Sequence, residues 1–411
     1  MADETIVIIG GGLAGAKAAE GARKAGWEGG IAVIGAEPYL PYEKPHLSKE
    51  ILRGEQSLPE TLVHPNALLA KQDVDLRLGV RVESVDLGAH LVRIADGPSV
   101  AFARLVLATG STAVRPGIPG AELPGAFTLR TVDDALAIRD RLRPGARLAV
   151  VGASWIGAEV AASARARGAE VVLLGRGRVP LERALGPEIG GFLGRVHREH
   201  GVELRLGPDV VAIEGEEAVT GVRLEDGTVV PADVVVLGTG SRPDLALAEA
   251  AGLELGDGGV LVDATLRTSH PDVYAAGDIA AQLHPLFGGR VRSEHWATAR
   301  FGGLAAGGNA AGAGKPYSRV PYFYSDQYDL NLEYSGYPVA ETQTVLRGSL
   351  EDGAFVAFQL RDGVVVGGTS VNVDGANKGV DALVKASAPV RSEVLADTGV
   401  APEDWASAAL A

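Results

Sequence analysis

Short apolar runs followed by glycine-rich turns recur along the chain and predict buried strands that lead into helices. The first run, Thr5–Ile9, precedes Gly10-Gly11-Gly12-Leu13-Ala14-Gly15, and a second run at 31–34 follows after the length of one helix. Apolar runs of about four to eight residues bounded by turn residues are typical of strands buried on both faces. Residues 5–37 are therefore predicted to form a strand–helix–strand unit.

The same order returns in the middle of the chain. An apolar run at 147–151 precedes a second glycine turn at 152–159, which opens a helix, and another apolar run follows at 170–174. Ser154 stands where the first turn has Gly12, which is a departure that still allows close approach. A further strand then runs into Gly238-Thr239-Gly240, so a second unit of the same kind is predicted.

The segments around these units have other patterns. Three prolines predict that residues 38–49 form a stiff, irregular loop rather than a helix. Residues 74–107 contain segments of alternating polar and apolar positions, which predict strands, and Asp96-Gly97 predicts a hairpin turn. The last of these strands ends in Ala108-Thr109-Gly110, where small residues let the backbone approach a ligand or a neighbour closely.

Two later features complete the pattern. A strand at 273–275 is followed by Gly277 and Asp278, where the aspartate opens a helix as its cap or binds a cofactor hydroxyl. From about residue 320 the chain has alternating strands, a helix around 378–386 and a polar tail, which predict a separate α+β domain.

Composition narrows the classes of function. The chain has 411 residues, 46 % hydrophobic and 22 % charged, as expected of a soluble globular protein. Its net charge of −14 argues against a nucleic-acid-binding protein. The acidic N-terminus does not resemble a signal peptide and no apolar run is long enough to span a membrane, so a cytoplasmic location is expected.

No residue of the chain is a cysteine. This excludes disulfides, thiolate metal sites and any mechanism that passes electrons through a dithiol of this chain. No metal site is predicted.

The first glycine turn has the chemistry of a dinucleotide site. Gly10 would form the tight turn, Gly12 would let backbone N–H groups reach a pyrophosphate, and Gly15 would allow close packing of helix and strand. Glu37, after the second strand, is placed to accept a hydrogen bond from a ribose hydroxyl. The alternative is a strand–helix–strand unit without a nucleotide.

The second unit differs at the acid position. Gly175 stands where an acid would follow the strand, and Arg176 and Arg178 come next. Arginines can pair with a 2′-phosphate that an acid would repel, unless they are merely exposed loop residues. The first site therefore suits FAD or NAD, and the second permits NADPH. Together they predict hydride transfer from nicotinamide to flavin and an acceptor outside this chain.

The order of motifs resembles the FAD-dependent pyridine nucleotide–disulfide reductase superfamily and, within it, the ferredoxin reductases of oxygenase electron-transfer chains. The resemblance runs nearly the whole length of the chain. The matching segments are 10–15, 41–49, 107–110, 129–131, 152–159, 238–243, 275–278, 294–297 and 321–327.

The resemblance implies a role for individual positions. Glu37 would hold the adenosine ribose, Val82 the adenine through its backbone, and Arg130 the pyrophosphate. Asp278 would hold the ribityl chain of the flavin. The implied catalytic residues are Lys49 near the reactive flavin nitrogen, Glu159 at the nicotinamide carboxamide, and Trp296 and Tyr324 along the flavin ring. The remaining implied cofactor-binding residues are Gly10, Gly12, Leu13, Ala14, Gly15, Lys44, Pro45, Ala108, Thr109, Gly110, Gly152, Ser154, Trp155, Ile156, Gly157, Arg176, Arg178, Gly238, Thr239, Gly240, Gly277, Glu294 and His295.

The chain departs from the family pattern at three positions. Lys44 stands where arginine is common, which loses a bidentate fork. Tyr324 stands where tryptophan is common, although tyrosine can still stack on a ring. Gly175 replaces the usual acid, which slightly favours NADPH, or use of both nucleotides, over the family's common NADH preference.

The expected fold is α/β with two Rossmann-like, glutathione-reductase-like domains and a C-terminal α+β domain. The predicted boundaries are 1–112 and 244–319 for the two parts of an FAD-binding domain, 113–243 for an NAD(P)H-binding domain, and 320–411 for the C-terminal domain. The resemblance implies an NAD(P)H-dependent reductase of a [2Fe–2S] ferredoxin that serves a cytochrome P450 or a Rieske oxygenase. The alternatives are a rubredoxin reductase, an NAD(P)H oxidase, or a redox-sensing flavoprotein resembling apoptosis-inducing factor. A monomer or weak dimer that binds neither nucleic acid nor membrane is expected.

Overall fold

A computed structural model describes residues 4–63, 73–95, 97–339 and 342–410 of the chain. Asp96 of the predicted hairpin turn and the first three residues of the acidic N-terminus lie outside this part. The strands are β1 Thr5–Ile9, β2 Gly30–Gly35, β3 Asp75–Leu78, β4 Val82–Asp86, β5 Leu91–Ile94, β6 Val100–Ala101, β7 Arg104–Leu107, β8 Ser111–Ala113, β9 Ala126–Phe127, β10 Arg147–Val151, β11 Glu170–Gly175, β12 Val202–Leu206, β13 Val210–Gly215, β14 Val219–Leu224, β15 Val229–Pro231, β16 Val234–Leu237, β17 Ser241–Pro243, β18 Leu255–Gly256, β19 Gly259–Val262, β20 Val273–Ala275, β21 Ala280–Leu283, β22 Arg290–Val291, β23 Tyr322–Gln327, β24 Leu330–Gly336, β25 Gln343–Ser349, β26 Ala354–Arg361 and β27 Val364–Val371.

Helices connect many of these strands. The α-helices are α1 Leu13–Lys24, α2 Glu50–Arg53, α3 Val132–Arg141, α4 Trp155–Ala166, α5 Glu182–Glu199, α6 Ala246–Ala250, α7 Trp296–Ala310, α8 Ala376–Ala386, α9 Ser392–Ala396 and α10 Trp405–Ala409. Short 3₁₀ helices form at Lys44–Ser48, Leu58–Thr61, Gly277–Ile279 and Pro402–Asp404. No helix within the described ranges is both long and apolar enough to cross a membrane.

The chain divides into two compact units, each built from three separate segments. The first unit contains residues 1–43, 59–112 and 242–323, and the second contains 44–58, 113–241 and 324–411. The predicted domain boundaries remain predictions; the main difference from this division is that residues 44–58 group with the second unit.

The first unit is organised around a parallel sheet of order β20-β7-β1-β2-β3. Its central strand β1 has no polar side chain after Thr5, and Ile6, Val7 and Ile8 are completely buried. Helices α1 and α7 pack closely through small residues, since a Cβ on Gly307 would lie 1.8 Å from the carbonyl oxygen of Ala18. A small sheet β4-β5-β6 and a mixed sheet β18-β19-β21-β22 complete this unit.

The second unit repeats this plan and adds the C-terminal domain. Its parallel sheet has the order β12-β11-β10-β16-β9, with the antiparallel sheet β13-β14-β15 beside it in the chain. The C-terminal sheet has the order β23-β24-β27-β26-β25. The predicted α/β class with two Rossmann-like units and a C-terminal α+β domain is confirmed.

Three local predictions were incomplete or wrong. The proline-rich loop contains a 3₁₀ helix at Lys44–Ser48, because Pro45 fits the first turn of a helix. Asp278 does not open a helix, because it is the middle residue of the 3₁₀ turn Gly277–Ile279, whose N-cap is Ala276, and this turn leads directly into β21. The predicted polar tail instead contains α9 and α10, and Trp405 is completely buried with its ring 5.0 Å from that of Phe358.

Candidate functional site

The first glycine turn is built by close backbone approaches. Gly10 has a φ of +127°, and a Cβ there would lie 2.0 Å from the carbonyl oxygen of Ala108. Gly15 is equally constrained, since its Cβ would lie 1.9 Å from the Gly10 carbonyl oxygen. These contacts bring the strand end at Ala108-Thr109-Gly110 against the turn, and the Ala108 N–H donates to Ile9 O at 2.7 Å.

Gly12 differs from the other two glycines because a Cβ there would meet nothing within 4 Å. Gly12 is also the N-cap of α1, and no side chain caps this helix. An uncapped helix N-terminus that is open on one side can bind an anion through its backbone N–H groups. The turn therefore fits a dinucleotide pyrophosphate, with Leu13 and Ala14 as the first helical residues.

Glu37 lies two residues after β2, where its carboxylate is oriented by Tyr42. The Tyr42 hydroxyl donates to Glu37 Oε2 at 2.5 Å, and the Gly79 N–H donates to the Glu37 carbonyl at 3.0 Å. Val82, three residues after Gly79, is the first residue of β4. Tyr42 was missed as a functional residue, although it stands in the matching motif only five positions after Glu37.

The late segment of the first unit returns to the same turn. Gly277 has a φ of +74°, and its Cβ would lie 3.1 Å from Ala14 Cβ. Asp278 beside it is 7 % exposed. The structure thus brings Gly277 next to the start of α1, and the role of Asp278 at the ribityl chain stays a prediction.

Glu294, His295 and Trp296 lie at the start of α7 in the same unit. Arg292 donates to Glu294 Oε1 at 2.5 Å and to the Asp278 carbonyl at 3.2 Å. The His295 ring stacks on Phe323 at 4.3 Å, and burial lowers the pKa of His295 to about 4. Trp296 contacts Phe301 edge to face and lies 5.1 Å from the Arg300 guanidinium.

The second unit contains a buried ion pair between two of the predicted catalytic residues. Lys49 Nζ lies 3.1 Å from Glu159 Oε1 and donates to the Pro45 carbonyl at 3.3 Å. The Tyr324 ring centroid lies 5.3 Å from the same ammonium group. Lys44 Nζ donates to the Arg130 carbonyl at 3.1 Å, which joins two more predicted residues.

Two serines complete the surroundings of Glu159. Ser48 Oγ donates to Oε2 at 2.5 Å, and Ser325 Oγ donates to Oε1 at 2.7 Å. Sequence reasoning missed both serines. Their only signal was position, because Ser48 precedes Lys49 and Ser325 follows Tyr324 in matching motifs.

The second glycine turn repeats the first with one substitution. A Cβ on Gly152 would lie 2.3 Å from the Gly238 carbonyl oxygen, and one on Gly157 would lie 1.9 Å from the Gly152 carbonyl oxygen. Ser154 Oγ donates to the Gly238 carbonyl at 2.9 Å and accepts from the Gly157 N–H at 3.4 Å. The serine therefore caps α4, whose first residues are Trp155 and Ile156.

Gly238-Thr239-Gly240 lies beside this turn. The Thr239 hydroxyl donates to the Val114 carbonyl at 2.7 Å, and the Val114 N–H donates to Gly240 O at 2.9 Å. Gly240 has a φ of +107° and open space where a Cβ would stand.

A close contact with Ala153 explains why residue 175 is a glycine. A Cβ on Gly175 would lie 2.8 Å from Ala153 Cβ, just as a Cβ on Gly35 would lie 2.8 Å from Gly11 Cα in the first unit. Gly175 is thus the counterpart of Gly35, and the counterpart of Glu37 is Gly177. The prediction that Gly175 stands at the position of Glu37 was therefore wrong, although neither Gly175 nor Gly177 has an acidic side chain.

The two arginines after β11 have different surroundings. Arg178 is bound by Glu182, whose carboxylate accepts from the Arg178 N–H at 2.7 Å and from its guanidinium at 2.8 Å. These hydrogen bonds lower the pKa of the Glu182 carboxyl. Arg176 is 86 % exposed and lies 3.5 Å from Asp209. The Arg178 side chain is nearly as exposed, at 83 %, so the two arginines differ in their carboxylate partners and not in exposure.

One further group of possible metal ligands lies in the first unit. His90, His270 and Asp272 place one ligand atom each within 4.8 Å of one another. Arg104 already pairs with Asp272 at 2.9 Å, and the His270 Nδ1 accepts the Asp272 N–H at 3.2 Å. The Asp272 carboxylate and the His270 ring are thus already engaged in contacts within the protein.

Comparison with known families gives two matches. The profile of the pyridine nucleotide-disulphide oxidoreductase family matches residues 4–303, and that of the reductase C-terminal domain matches residues 322–404.

The chain is also similar to individual proteins over nearly its whole length. The anthranilate 1,2-dioxygenase system ferredoxin–NAD(+) reductase component of Burkholderia cepacia is 38 % identical, covering 97 % of this chain and 98 % of that protein. A ferredoxin–NAD(P)(+) reductase of Sphingomonas sp is 36 % identical, covering 89 % of each. The solved covalent putidaredoxin reductase–putidaredoxin complex matches with a TM-score of 0.95 at 32 % identity, covering 100 % of this chain and 99 % of that chain. The chain therefore belongs to the pyridine nucleotide-disulphide oxidoreductase family and carries a reductase C-terminal domain.

Proposed function

We propose that this protein is an NAD(P)H-dependent ferredoxin reductase that supplies single electrons to a [2Fe–2S] ferredoxin of an oxygenase system. The observation that carries the proposal is that similarity to reductases of such systems extends through both glycine turns and the C-terminal domain, over 97 % of the chain in one case. None of the 411 residues is a cysteine, so electrons do not leave through a dithiol of this chain.

The family implies FAD and NAD(P)H as cofactors. Bound FAD would accept a hydride from the nicotinamide and release two electrons one at a time. The open, uncapped turn at Gly12 fits the pyrophosphate of FAD. Glu37, oriented by Tyr42, would accept hydrogen bonds from the adenosine ribose, and the buried Asp278 would hold the ribityl chain.

Lys49 and Glu159 would act where hydride transfer takes place. The Lys49 ammonium would stabilise negative charge on the reduced flavin, because a cation placed in a water-poor site interacts strongly with developing charge. A carboxylate has about four acceptor positions, and Ser48, Ser325 and Lys49 use three of them at Glu159. The remaining position, on Oε2, would accept the nicotinamide carboxamide.

For the nicotinamide cofactor we propose that NADPH is used at least as well as NADH. No acid stands at Gly175 or Gly177 to repel a 2′-phosphate, and the exposed Arg176 could pair with it. Arg178 would support the loop through Glu182 and would not bind the phosphate directly.

The test is an anaerobic titration of the FAD-loaded protein with NADH and NADPH separately, followed by addition of a [2Fe–2S] ferredoxin. We expect rapid bleaching of the flavin absorbance and then saturable reduction of the ferredoxin. Rapid nucleotide consumption under air without a carrier would instead identify an oxidase. Slow bleaching with a long-lived nucleotide complex would identify a redox-sensing protein, and either result would overturn the proposal.

A further inference from the structure

A chain of buried hydrogen bonds ends on the Glu159 carboxylate. Ser325 Oγ donates to Glu159 Oε1 at 2.7 Å, and Gln327 Nε2 donates to Ser325 Oγ at 3.1 Å. Gln327 Oε1 lies 3.0 Å from His197 Nε2. Ser325, Gln327 and His197 are 1 %, 2 % and 1 % exposed, so water does not compete with these bonds.

The Glu159 carboxylate at one end of this chain of hydrogen bonds determines which atom donates in each bond. An ionised carboxylate only accepts, so the Ser325 hydroxyl must donate to it and must accept from the Gln327 amide. The Gln327 carbonyl can then only accept, so the His197 Nε2 carries the proton. The His197 Nδ1 is left to accept from the Tyr328 hydroxyl, which lies 3.0 Å away.

His197 keeps this arrangement because it stays neutral. Burial lowers the pKa of His197 to about 4, so one ring nitrogen donates and the other accepts at neutral pH. Tyr328 is held in turn by stacking on His200 at 3.7 Å between ring centroids. The amide of Gln327 cannot relay a proton, so the chain orients groups and does not transfer protons.

This chain of hydrogen bonds joins two elements that are far apart in sequence. His197 lies in the last turn of α5, whereas Ser325 and Gln327 lie on β23. Residues two apart on a strand point to the same side, which lets Ser325 and Gln327 act in series. Glu159 pairs with Lys49, and the Asp326 carboxyl interacts with the charges of Lys49, Glu159 and Glu50, although burial is the chief cause that raises its pKa.

We propose that Ser325, Gln327 and His197 are positioning residues that hold the Glu159 carboxylate, and through it Lys49, in one orientation. The proposal rests on the proposed function in taking Lys49 and Glu159 as the residues that act on nicotinamide and flavin. Without the Ser325 donor, the carboxylate would keep Ser48 and Lys49 but could rotate. The carboxylate would also lose one of the three donors that hold it.

The test compares Ser325→Ala with Ser325→Thr, which keeps the hydroxyl, in the oxidised FAD-loaded protein. Ser335→Ala is the matched control, since Ser335 is also a buried serine of the C-terminal domain but bonds only weakly to the Asn377 carbonyl, at 3.4 Å. A ¹³C-carboxyl NMR spectrum of labelled glutamate at one fixed pH, with the Glu159 signal assigned by its loss in Glu159→Gln, follows the hydrogen bonding of the carboxylate without any turnover.

We expect the chemical shift of the Glu159 carboxyl carbon to change in Ser325→Ala, to return to the wild-type value in Ser325→Thr and to stay at that value in Ser335→Ala. The rate of flavin reduction should fall roughly 10-fold in Ser325→Ala alone, as expected for one lost hydrogen bond to a charged group. Gln327→Glu should show the same shift, because a carboxylate at 327 would take the Ser325 hydroxyl as its own donor. This variant replaces Ser325→Ala if the latter does not fold.

An equal Glu159 chemical shift in Ser325→Ala and Ser335→Ala would overturn the inference. If the chemical shift changes as expected but wild-type protein reduces no ferredoxin, the proposed function fails while the positioning role stands.

Discussion

The ammonium of Lys49 lies 3.1 Å from Glu159 Oε1, and the two side chains are only 4 % and 8 % exposed. Removing one partner of a buried ion pair leaves an unpaired charge, whereas removing both can be nearly neutral. We therefore expect Lys49→Met to lower the free energy of unfolding by about 3 kcal/mol. The double variant Lys49→Met/Glu159→Gln should lose clearly less, as measured by urea unfolding.

Lys385→Met is the control for this pair. Lys385 forms an exposed helix pair with Asp381, four residues apart, and such pairs contribute only about 0.5 kcal/mol. Both Lys49 variants should also reduce flavin more slowly. A double variant as unstable as the single one, or wild-type reduction rates, would contradict the assigned roles.

Two glycines of the same turn should respond differently to substitution. At Gly12 an added side chain meets open space, so Gly12→Val should leave the stability of the flavin-free protein unchanged and weaken FAD binding at least about 10-fold. At Gly10 a Cβ would collide with the Ala108 carbonyl at 2.0 Å, so Gly10→Ala should prevent stable folding. Thermal unfolding and fluorescence titration with FAD measure the two effects.

Gly117→Ala serves as the control, since Gly117 also has open space around it but lies in neither glycine turn. It should change neither stability nor FAD affinity. Normal FAD affinity in Gly12→Val would show that the FAD pyrophosphate does not bind at this turn.

Nicotinamide preference should depend on the pair Ala153 and Gly175. Gly175→Glu alone should destabilise the protein, because its Cβ would lie 2.8 Å from Ala153 Cβ. In Ala153→Gly/Gly175→Glu the carboxylate has room, and kcat/KM for NADPH should fall roughly 10-fold relative to NADH through repulsion of the 2′-phosphate.

Arg176→Glu should change the preference in the same direction without the steric effect. Steady-state rates with each nucleotide measure the ratio. Equal losses of kcat/KM for NADH and NADPH in both variants would show that this loop does not distinguish a 2′-phosphate from a 2′-hydroxyl.

Acid should weaken the fold through its buried histidines. Burial lowers the pKa of His197 and of His295 to about 4, while an unfolded histidine titrates near 6.5. Between these values the unfolded chain binds more protons, so stability is complete above about pH 6.5 and is lost as the pH falls towards 4. For His197 the loss is on the order of 3 kcal/mol.

His197→Gln removes this titration while keeping a polar side chain. Urea midpoints measured from pH 7.5 to 4.5 should therefore fall less steeply in the variant than in the wild type. Parallel curves would mean that folding does not shift the pKa of His197.

Local patterns predicted the parts of the fold that depend on local sequence. Strands β1 and β10 lie at their predicted bounds, because short apolar runs ending in glycine have few other solutions. The prediction of a polar tail after residue 387 was wrong, because its two short helices bury only Leu395, Trp405 and Ala409, which are too few to show a helical pattern in the sequence.

The site was predictable only where one motif contains all of its parts. Ser48 and Ser325 meet Glu159 from 111 and 166 residues away, and no periodicity or spacing specifies such a meeting. The steric cause of Gly175 was likewise invisible, since it depends on how closely β11 passes Ala153.

The order of the first parallel sheet has a consequence for synthesis on the ribosome. Strand β20 pairs with β7 beside β1, yet Val273 is made 166 residues after Leu107, the last residue of β7. At about 5 to 20 residues per second this delay is roughly 8 to 33 seconds. Until then β7 is an unpaired apolar edge, which is a template for wrong pairing. We expect the nascent chain to depend on chaperones during this interval, and fragments that end before residue 273 to aggregate.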